Sequence, residues 1–292
     1  MELHTLSVNG GYSQKDVTEV AKVFTGWTIE RPNQGGGFHF EPRMHEPGDK
    51  IVLGHRIKEN RKNGEKEGLE VLHLLARSPQ TAHFISQKLA MRFVSDDPPA
   101  ALVDRMTQTF LKKNGDIREV LRTMFKSPEF WSPETYRAKV KTPFEFVASA
   151  VRASGAQVDD ARQLVGTLNN MGMPLYGMMP PTGYSMKAET WVNSSALLGR
   201  MNFALGLAGG KVRGVTVDAT QLAQGTTDAR QALARLEDSL LSGDISRPTH
   251  DTITKQLEDP KITQRRLDDP SRPPNVGAIV GLILGSPEFQ KR

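Results

Sequence analysis

Apolar residues recur along this chain at helical spacing, in short stripes that proline or glycine cuts off after a few turns. Leu69, Leu72, Leu75 and Ala76 make one stripe, and Phe84, Ile85, Leu89 and Phe93 the next. Leu102, Val103, Met106 and Phe110 follow, then Ile117, Val120, Leu121, Met124 and Phe125. Further stripes lie on Phe144 to Val151, Leu164 to Leu168 and Trp191 to Leu207, and later between 228 and 241, 249 and 257, and 276 and 284. Spacing of i, i+3, i+4 and i+7 puts each set on one face of an α-helix. Ser78-Pro79, Asp96 to Pro99, Asn114-Gly115, Thr142-Pro143 and Gly155 supply the stops and restarts. No single stripe can bury itself, so about ten such helices must pack on one another. The expected fold is mainly α, a multi-helix packed domain.

An earlier helix is announced by Ser13 to Asp16, a capping box, with Val17, Val20, Ala21 and Phe24 on one face behind it. Sheet-like pattern is confined to residues 38–54. There Phe38-His39-Phe40 alternates, Ile51-Val52-Leu53 is β-prone, and Pro47-Gly48 makes a turn between them. One small β-hairpin or flap is expected here. The whole chain, 1–292, reads as one helical domain, or as two helical lobes divided near residue 155. The charged, proline-rich stretch from Glu258 to Asn275 reads as an exposed connection. Ser127-Pro-Glu-Phe130 and Ser286-Pro-Glu-Phe289 each follow the same apolar stripe. This echo is read as a shared way of ending a helix, ahead of a duplicated unit.

Composition removes several function classes. Charged residues are 24% and hydrophobic residues 37% of the 292, an ordinary globular balance. No apolar run approaches the roughly 18–20 residues of a membrane span. The opening MELHTLSVNGG lacks the basic and apolar regions of a signal peptide. With no cysteine there is no disulfide, thiolate nucleophile or thiolate-bound zinc. The net charge of +5 is spread thinly along the chain, so a nucleic-acid partner is not expected. The basic trio Arg137, Lys139 and Lys141 is the one place where a phosphate or sulfate cradle is conceivable.

Candidate chemistry gathers near the beginning of the sequence. His4, His39, His45, Glu46 and Asp49 offer imidazole and carboxylate ligands suited to a divalent zinc, iron or manganese ion. The alternative is an acid–base pair of His45 with Asp49 or Glu46. There is no Gly-x-Ser-x-Gly elbow, and Gly35 to Gly37 leads into no phosphate-binding Lys-Ser/Thr. A second candidate is the stretch 171–191. MGMPLYGMMPPTGY holds three prolines, three glycines, four methionines and two tyrosines in fourteen residues, which excludes a helix. Tyr176, Tyr184 and Trp191, with Trp27, are the candidate walls of an apolar or sugar-binding groove.

The residues also resemble a bacterial family catalogued as domain of unknown function 1800. The likeness runs through Glu-Leu-His-Thr-Leu, Gly-Gly-Tyr-Ser-Gln-Lys-Asp-Val, Phe-Thr-Gly-Trp-Thr and His45-Glu46-Pro47-Gly48-Asp49-Lys50 with Leu53-Gly54. It continues in Lys88-Leu89 with Arg92-Phe93-Val94, Lys139 to Glu145, Pro174-Leu175-Tyr176-Gly177, Pro180-Pro181, Gly183-Tyr184 and Ser286 to Phe289. Within the polar cluster it singles out His45 and Asp49 as metal ligands, since both fall in a matching block and His39 does not. It implies further helical sequence ahead of the Glu-Leu-His block, so the chain is expected to be a truncated, C-terminal portion. It also implies a place in the bacterial cell envelope or periplasm. A partner is implied too, from a neighbouring family, domain of unknown function 1501, that is similar to sulfatases. Two functions are therefore expected: an envelope-associated helical scaffold or binding protein acting with a partner, or a metal-assisted hydrolase built on the flap histidines.

Overall fold

A computed structural model describes residues 1–226, 228–258 and 275–292. The chain divides into two compact units, Met1–Phe93 with Asp97–Trp131, and Val94–Asp96 with Ser132–Arg292. Both are built chiefly of helices. The sheet content is small, three antiparallel two-stranded pairs among the described residues.

The first unit opens with a π-type turn, Glu2–Leu6, and helix α1, Gln14–Val23. Both halves of the capping box form: the Ser13 hydroxyl accepts from Asp16 N–H, and the Asp16 carboxylate accepts from Ser13 N–H. Strand β1 (Trp27–Ile29) then pairs with β2 (Phe38–Phe40), and β3 (Lys50–Val52) with β4 (His55–Ile57). The expected single flap is thus two hairpins, because Phe38-His39-Phe40 and Ile51-Val52 each pair with a different neighbour. The reason is local. Leu53 and Gly54 both take positive φ, 52° and 77°, the geometry of a two-residue hairpin turn, and this closes β3 directly onto β4. Helices α2 (Glu65–Ala76), α3 (Pro79–Phe93), α4 (Ala100–Lys112) and α5 (Ile117–Phe125) complete the unit. Leu6, Val23, Val52, Ile57, Val71 and Leu75 form one buried cluster under the hairpins. Leu102, Val103, Met106, Phe110, Val120 and Met124, the expected stripes of α4 and α5, are also buried.

The second unit runs through α6 (Pro143–Ala153), β5 (Gln157–Val158), α7 (Arg162–Asn170), α8 (Ser194–Ala208) and β6 (Val215–Thr216). It then continues with α9 (Ala219–Leu222), α10 (Ala229–Leu241), α11 (Arg247–Glu258) and α12 (Val276–Gly285). Its core joins Phe146 and Val147 of α6, Phe203, Ala204 and Leu207 of α8, Leu233 and Leu236 of α10, and Ile279, Val280, Ile283 and Leu284 of α12. The β5–β6 pair, two residues a side, was not apparent from the sequence. The expected connection between 258 and 275 lies outside the described residues. No helix among them is long and apolar enough to cross a membrane.

Helices α8 and α12 approach so closely that side chains are excluded from part of their seam. A Cβ added at Gly281 would sit 2.9 Å from Leu205 Cα, and one at Gly277 would sit 2.8 Å from Ala208 O. Gly285 faces Met201 in the same way. These glycines fall four residues apart, on one face of α12. Gly281→Ala is expected to lower the unfolding free energy by about 1–3 kcal/mol through overpacking. Gly199→Ala meets nothing within 4 Å and should raise it by about 0.5–1 kcal/mol through helix propensity. Urea unfolding of the two variants checks both signs.

Candidate functional site

The flap residues come first, since the sequence points to them. His45 is held from both ring nitrogens: Nδ1 lies 2.9 Å from Thr25 O, and Nε2 lies 3.3 Å from Lys50 Nζ and 3.2 Å from Glu67 Oε2. Lys50 Nζ donates to Glu67 Oε2 at 2.7 Å and to Glu46 O at 2.5 Å, and both side chains of that ion pair are about 1% exposed. Glu67 Oε1 accepts from Asn60 N–H at 2.7 Å. Burial pushes the Glu67 carboxyl up, but the Lys50 ammonium, the Asn60 N–H and His45 together carry it below the ordinary carboxylate value. The ring edge of His45 also packs on Phe40, and Gly64 leaves room for both, a Cβ there falling 2.7 Å from His45 Cδ2. This cluster ties the segment between the hairpins to α2.

The other expected ligands do not join it. Asp49 accepts from Glu59 N–H and pairs with Arg56, which in that order hold its carboxyl below the usual value. Glu46 is exposed and contributes its backbone, its N–H donating to Thr25 Oγ1 at 2.8 Å. His4 is exposed on the π-type turn, and exposed His39 lies 3.9 Å from Glu41. His45 and Asp49 therefore turn to different partners. Among the described residues no three His, Asp or Glu side chains gather into a group that could hold a metal ion. The partner of His45 that matters, Glu67, lies on a helix in the first unit, and sequence reasoning did not find it. The available signal was a carboxylate placed on the apolar face of α2, three and four residues before Glu70 and Val71.

Trp27 is packed among its own unit's side chains. Its ring packs edge-on against Phe24 at 4.9 Å and Phe38 at 5.0 Å, with Gly68 beneath it, where a Cβ would fall 2.4 Å from Cζ2. The first unit does carry an open cleft of about 830 Å³, walled by Asp16, Leu53, His55, Glu70, His73 and Arg77. None of the expected site residues lines it. Several of its polar groups already have partners: Asp16 accepts from Ser13 and Leu53 N–H, and His73 Nδ1 lies 2.7 Å from Leu69 O.

In the second unit the proline-rich loop folds as expected, without helix, and two of its three expected aromatics meet. Tyr184 and Trp191 lie 6.0 Å apart, while Tyr176 is fully exposed, on a backbone φ of 57°. The loop's polar atoms are spent within it: Tyr184 OH donates to Pro174 O at 2.7 Å and Trp191 Nε1 to Ser185 O at 2.9 Å. Its base is strapped by Asp96, whose carboxylate accepts from Ala188 N–H at 2.7 Å and pairs with Lys139, which also donates to Met186 O. Burial raises the Asp96 carboxyl, and the Ala188 N–H and Lys139 outweigh it to leave the group lowered.

Between this loop and α8 lies a cleft of about 380 Å³, with Met171, Met178, Tyr184, Trp191 and Pro143 on its walls. Asn193, which caps α8 by accepting from Ala196 N–H, lines it as well. So does Arg200, 1% exposed and the only charged residue of the lining. Arg200 Nη2 donates to Lys141 O at 2.8 Å and its guanidinium lies 5.3 Å from the Phe146 ring centre, but Nη1 has no hydrogen-bond partner. Burial pushes the guanidinium down from its ordinary value, with Glu145 acting the other way. The sequence reading missed Arg200, because an arginine on an apolar helix face reads as a solvated residue until its burial is known.

A family model described as "Protein of unknown function (DUF1800)" matches residues 1–291. The chain belongs to this family. No curated protein and no solved structure matches it. The family description prints no reaction or ligand, so for this DUF1800 member the geometry has to carry the functional argument. The basic trio Arg137, Lys139 and Lys141 is engaged by protein groups rather than left open as a phosphate cradle. Lys139 is paired with Asp96, Lys141 Nζ donates to Phe289 O at 2.6 Å, and Arg137 binds Asp244 and Leu241 O.

Two consequences are measurable. Glu67→Ala leaves the Lys50 charge buried without its counter-ion, and should cost about 3–5 kcal/mol in urea unfolding. Because the Glu67 carboxyl is lowered on folding, its contribution is present above the ordinary carboxylate range and is lost as pH falls through the lower folded value. Lys141 titrates in the opposite regime. Burial, with Arg137, Arg200 and Arg292 adding to it against Glu145, brings its amine from 10.5 to about 8. The unfolded chain keeps that proton to higher pH, so stability should rise between pH 8 and 10. Relative to Lys141→Met, the parent should gain on the order of 1 kcal/mol over this window after solvent screening.

Proposed function

We propose that this protein is a helical binding protein of the bacterial cell envelope, acting with a protein partner, and that its ligand seat is the cleft between the proline-rich loop and α8. The observation that carries the reading is Arg200: a buried guanidinium in the wall of a cleft whose other walls are mainly aromatic rings, methionines and proline, with the small polar residues Ser185, Thr190 and Asn193 among them. Ligand sites are concave, mostly apolar, and carry a few placed polar groups, and a volume of about 380 Å³ suits a small organic molecule. The loop that forms the wall is braced at Asp96, Tyr184 and Trp191, so the walls are set before a ligand arrives.

The flap favours the binding reading over the hydrolase. His45 and Glu67 hold each other, Lys50 and a backbone carbonyl inside the first unit, so their lone pairs and protons are already in use. Envelope location and a sulfatase-like partner rest on the family resemblance. Size-exclusion chromatography of the chain mixed with a sulfatase-like protein of the neighbouring family checks the latter, with a shared, earlier-eluting peak expected.

Ligand binding is tested by thermal shift over a set of small amphiphiles of about a dozen non-hydrogen atoms, in the parent and in Ala196→Phe. Ala196 is half-buried on the first turn of α8 and lines the cleft, so the larger ring fills it. Compounds that stabilise the parent should not stabilise Ala196→Phe. Hits that act equally on both proteins would remove the cleft as the ligand seat.

A further inference from the structure

We propose that the ligand of this cleft is a small apolar monocarboxylate, anchored through its carboxylate by Arg200. The inference rests on the reading of the cleft as a ligand seat and adds the chemical class of its occupant.

A buried guanidinium carries a large desolvation cost that is ordinarily met by a carboxylate and by hydrogen bonds to its nitrogens. Arg200 has part of that set. Nη2 is satisfied by Lys141 O, and the guanidinium packs on the Phe146 ring. Nη1 has no partner, and no carboxylate of the described residues lies within ion-pair distance of Arg200. Its neighbour in charge, Glu145, is turned to Thr142 and Arg292. Arg200 forms part of the cleft wall, so an anion seated in the cleft is the partner available to complete the set once the lining yields to Nη1, which is sealed from solvent.

The rest of the lining selects among anions. One guanidinium matches one negative charge, and its planar fork suits a carboxylate. The first turn of α8, at Asn193 and Ala196, faces the same space and adds the positive end of a fifteen-residue helix. The remaining walls are chiefly Met171, Met178, Trp191 and Pro143, with Gly172 and the uncharged Ser185 and Thr190, while the polar atoms of Tyr184 and Trp191 are turned into the loop. Ring faces and thioethers favour an apolar body and offer little to a fully hydrated dianion. A carboxylate head on a compact hydrocarbon or aromatic tail fits both parts.

The test uses calorimetric titration of the full chain with 3-phenylpropionate, with the uncharged 3-phenylpropionamide, and with sodium sulfate. The acid is expected to bind at least about tenfold more tightly than the amide, and sulfate not to compete. Arg200→Met, which keeps an apolar side chain of similar length, should bring the acid down to the affinity of the amide. Should that variant fail to fold, the acid-to-amide ratio on the parent protein decides alone. Equal affinities, with both lost in Ala196→Phe, would overturn the role of Arg200 and leave the cleft as a ligand seat. Sulfate competing as strongly as the acid binds would overturn the apolar tail. If neither organic probe binds the parent, the cleft reading fails and the carboxylate fails with it.

Discussion

The second unit depends on how closely α12 can lie on α8. Gly277, Gly281 and Gly285 remove every side chain from one seam of α12, so that backbone and Leu205, Ala208 and Met201 of α8 meet it directly. Close approach raises dispersion and excludes water from the seam, which a bulkier residue would hold open. Ile279, Val280, Ile283 and Leu284 then fill the flanks of the same helix and reach α8 and α10. With α8 fixed on that side, its other side carries Arg200 and Ala196 into the cleft. The candidate site is therefore a by-product of the tightest packing in its unit.

Polar residues that look chemical in the sequence are mostly structural here. His45, Lys50 and Glu67 form a closed, nearly dry cluster, and Asp96 with Lys139 straps the loop base. Each group in these sets has its partners, which is the condition under which burial is tolerated. Arg200 breaks the rule with an unpartnered Nη1. Trp27 Nε1 and Ser86 Oγ are also buried without partners, but neither residue lines either of the two clefts described above. An incomplete polar set matters for function only where a ligand can reach it.

The repeated Ser-Pro-Glu-Phe shows how one local signal serves two surroundings. After α5, Ser127 Oγ accepts from Phe130 N–H; after α12, Ser286 Oγ accepts from Phe289 N–H, and each closes a single turn at the end of its helix. The expectation of a shared helix-ending device is met at this level. Phe130 nevertheless joins a half-exposed chain of rings with Phe125 and Trp131, while Phe289 is buried against Phe146. Short-range hydrogen bonds repeat wherever the residues repeat, but burial depends on what lies opposite.

That distinction separates what could be read from the sequence from what could not. Apolar spacing and proline and glycine stops determined a mainly helical molecule, because helix periodicity and chain breaking act within a few residues of one another. The same local logic marked Met171 to Tyr184 as a non-helical loop and Tyr184 with Trp191 as possible walls. Which strand would pair with which depended on the positive φ of Leu53 and Gly54, and the fate of His45 on a carboxylate twenty-two residues further along. The burial of Arg200 depended on a loop and on α6 together. Charge, solvation and reach are set by groups distant in sequence, and only the tertiary structure brings those groups within a few ångströms of each other.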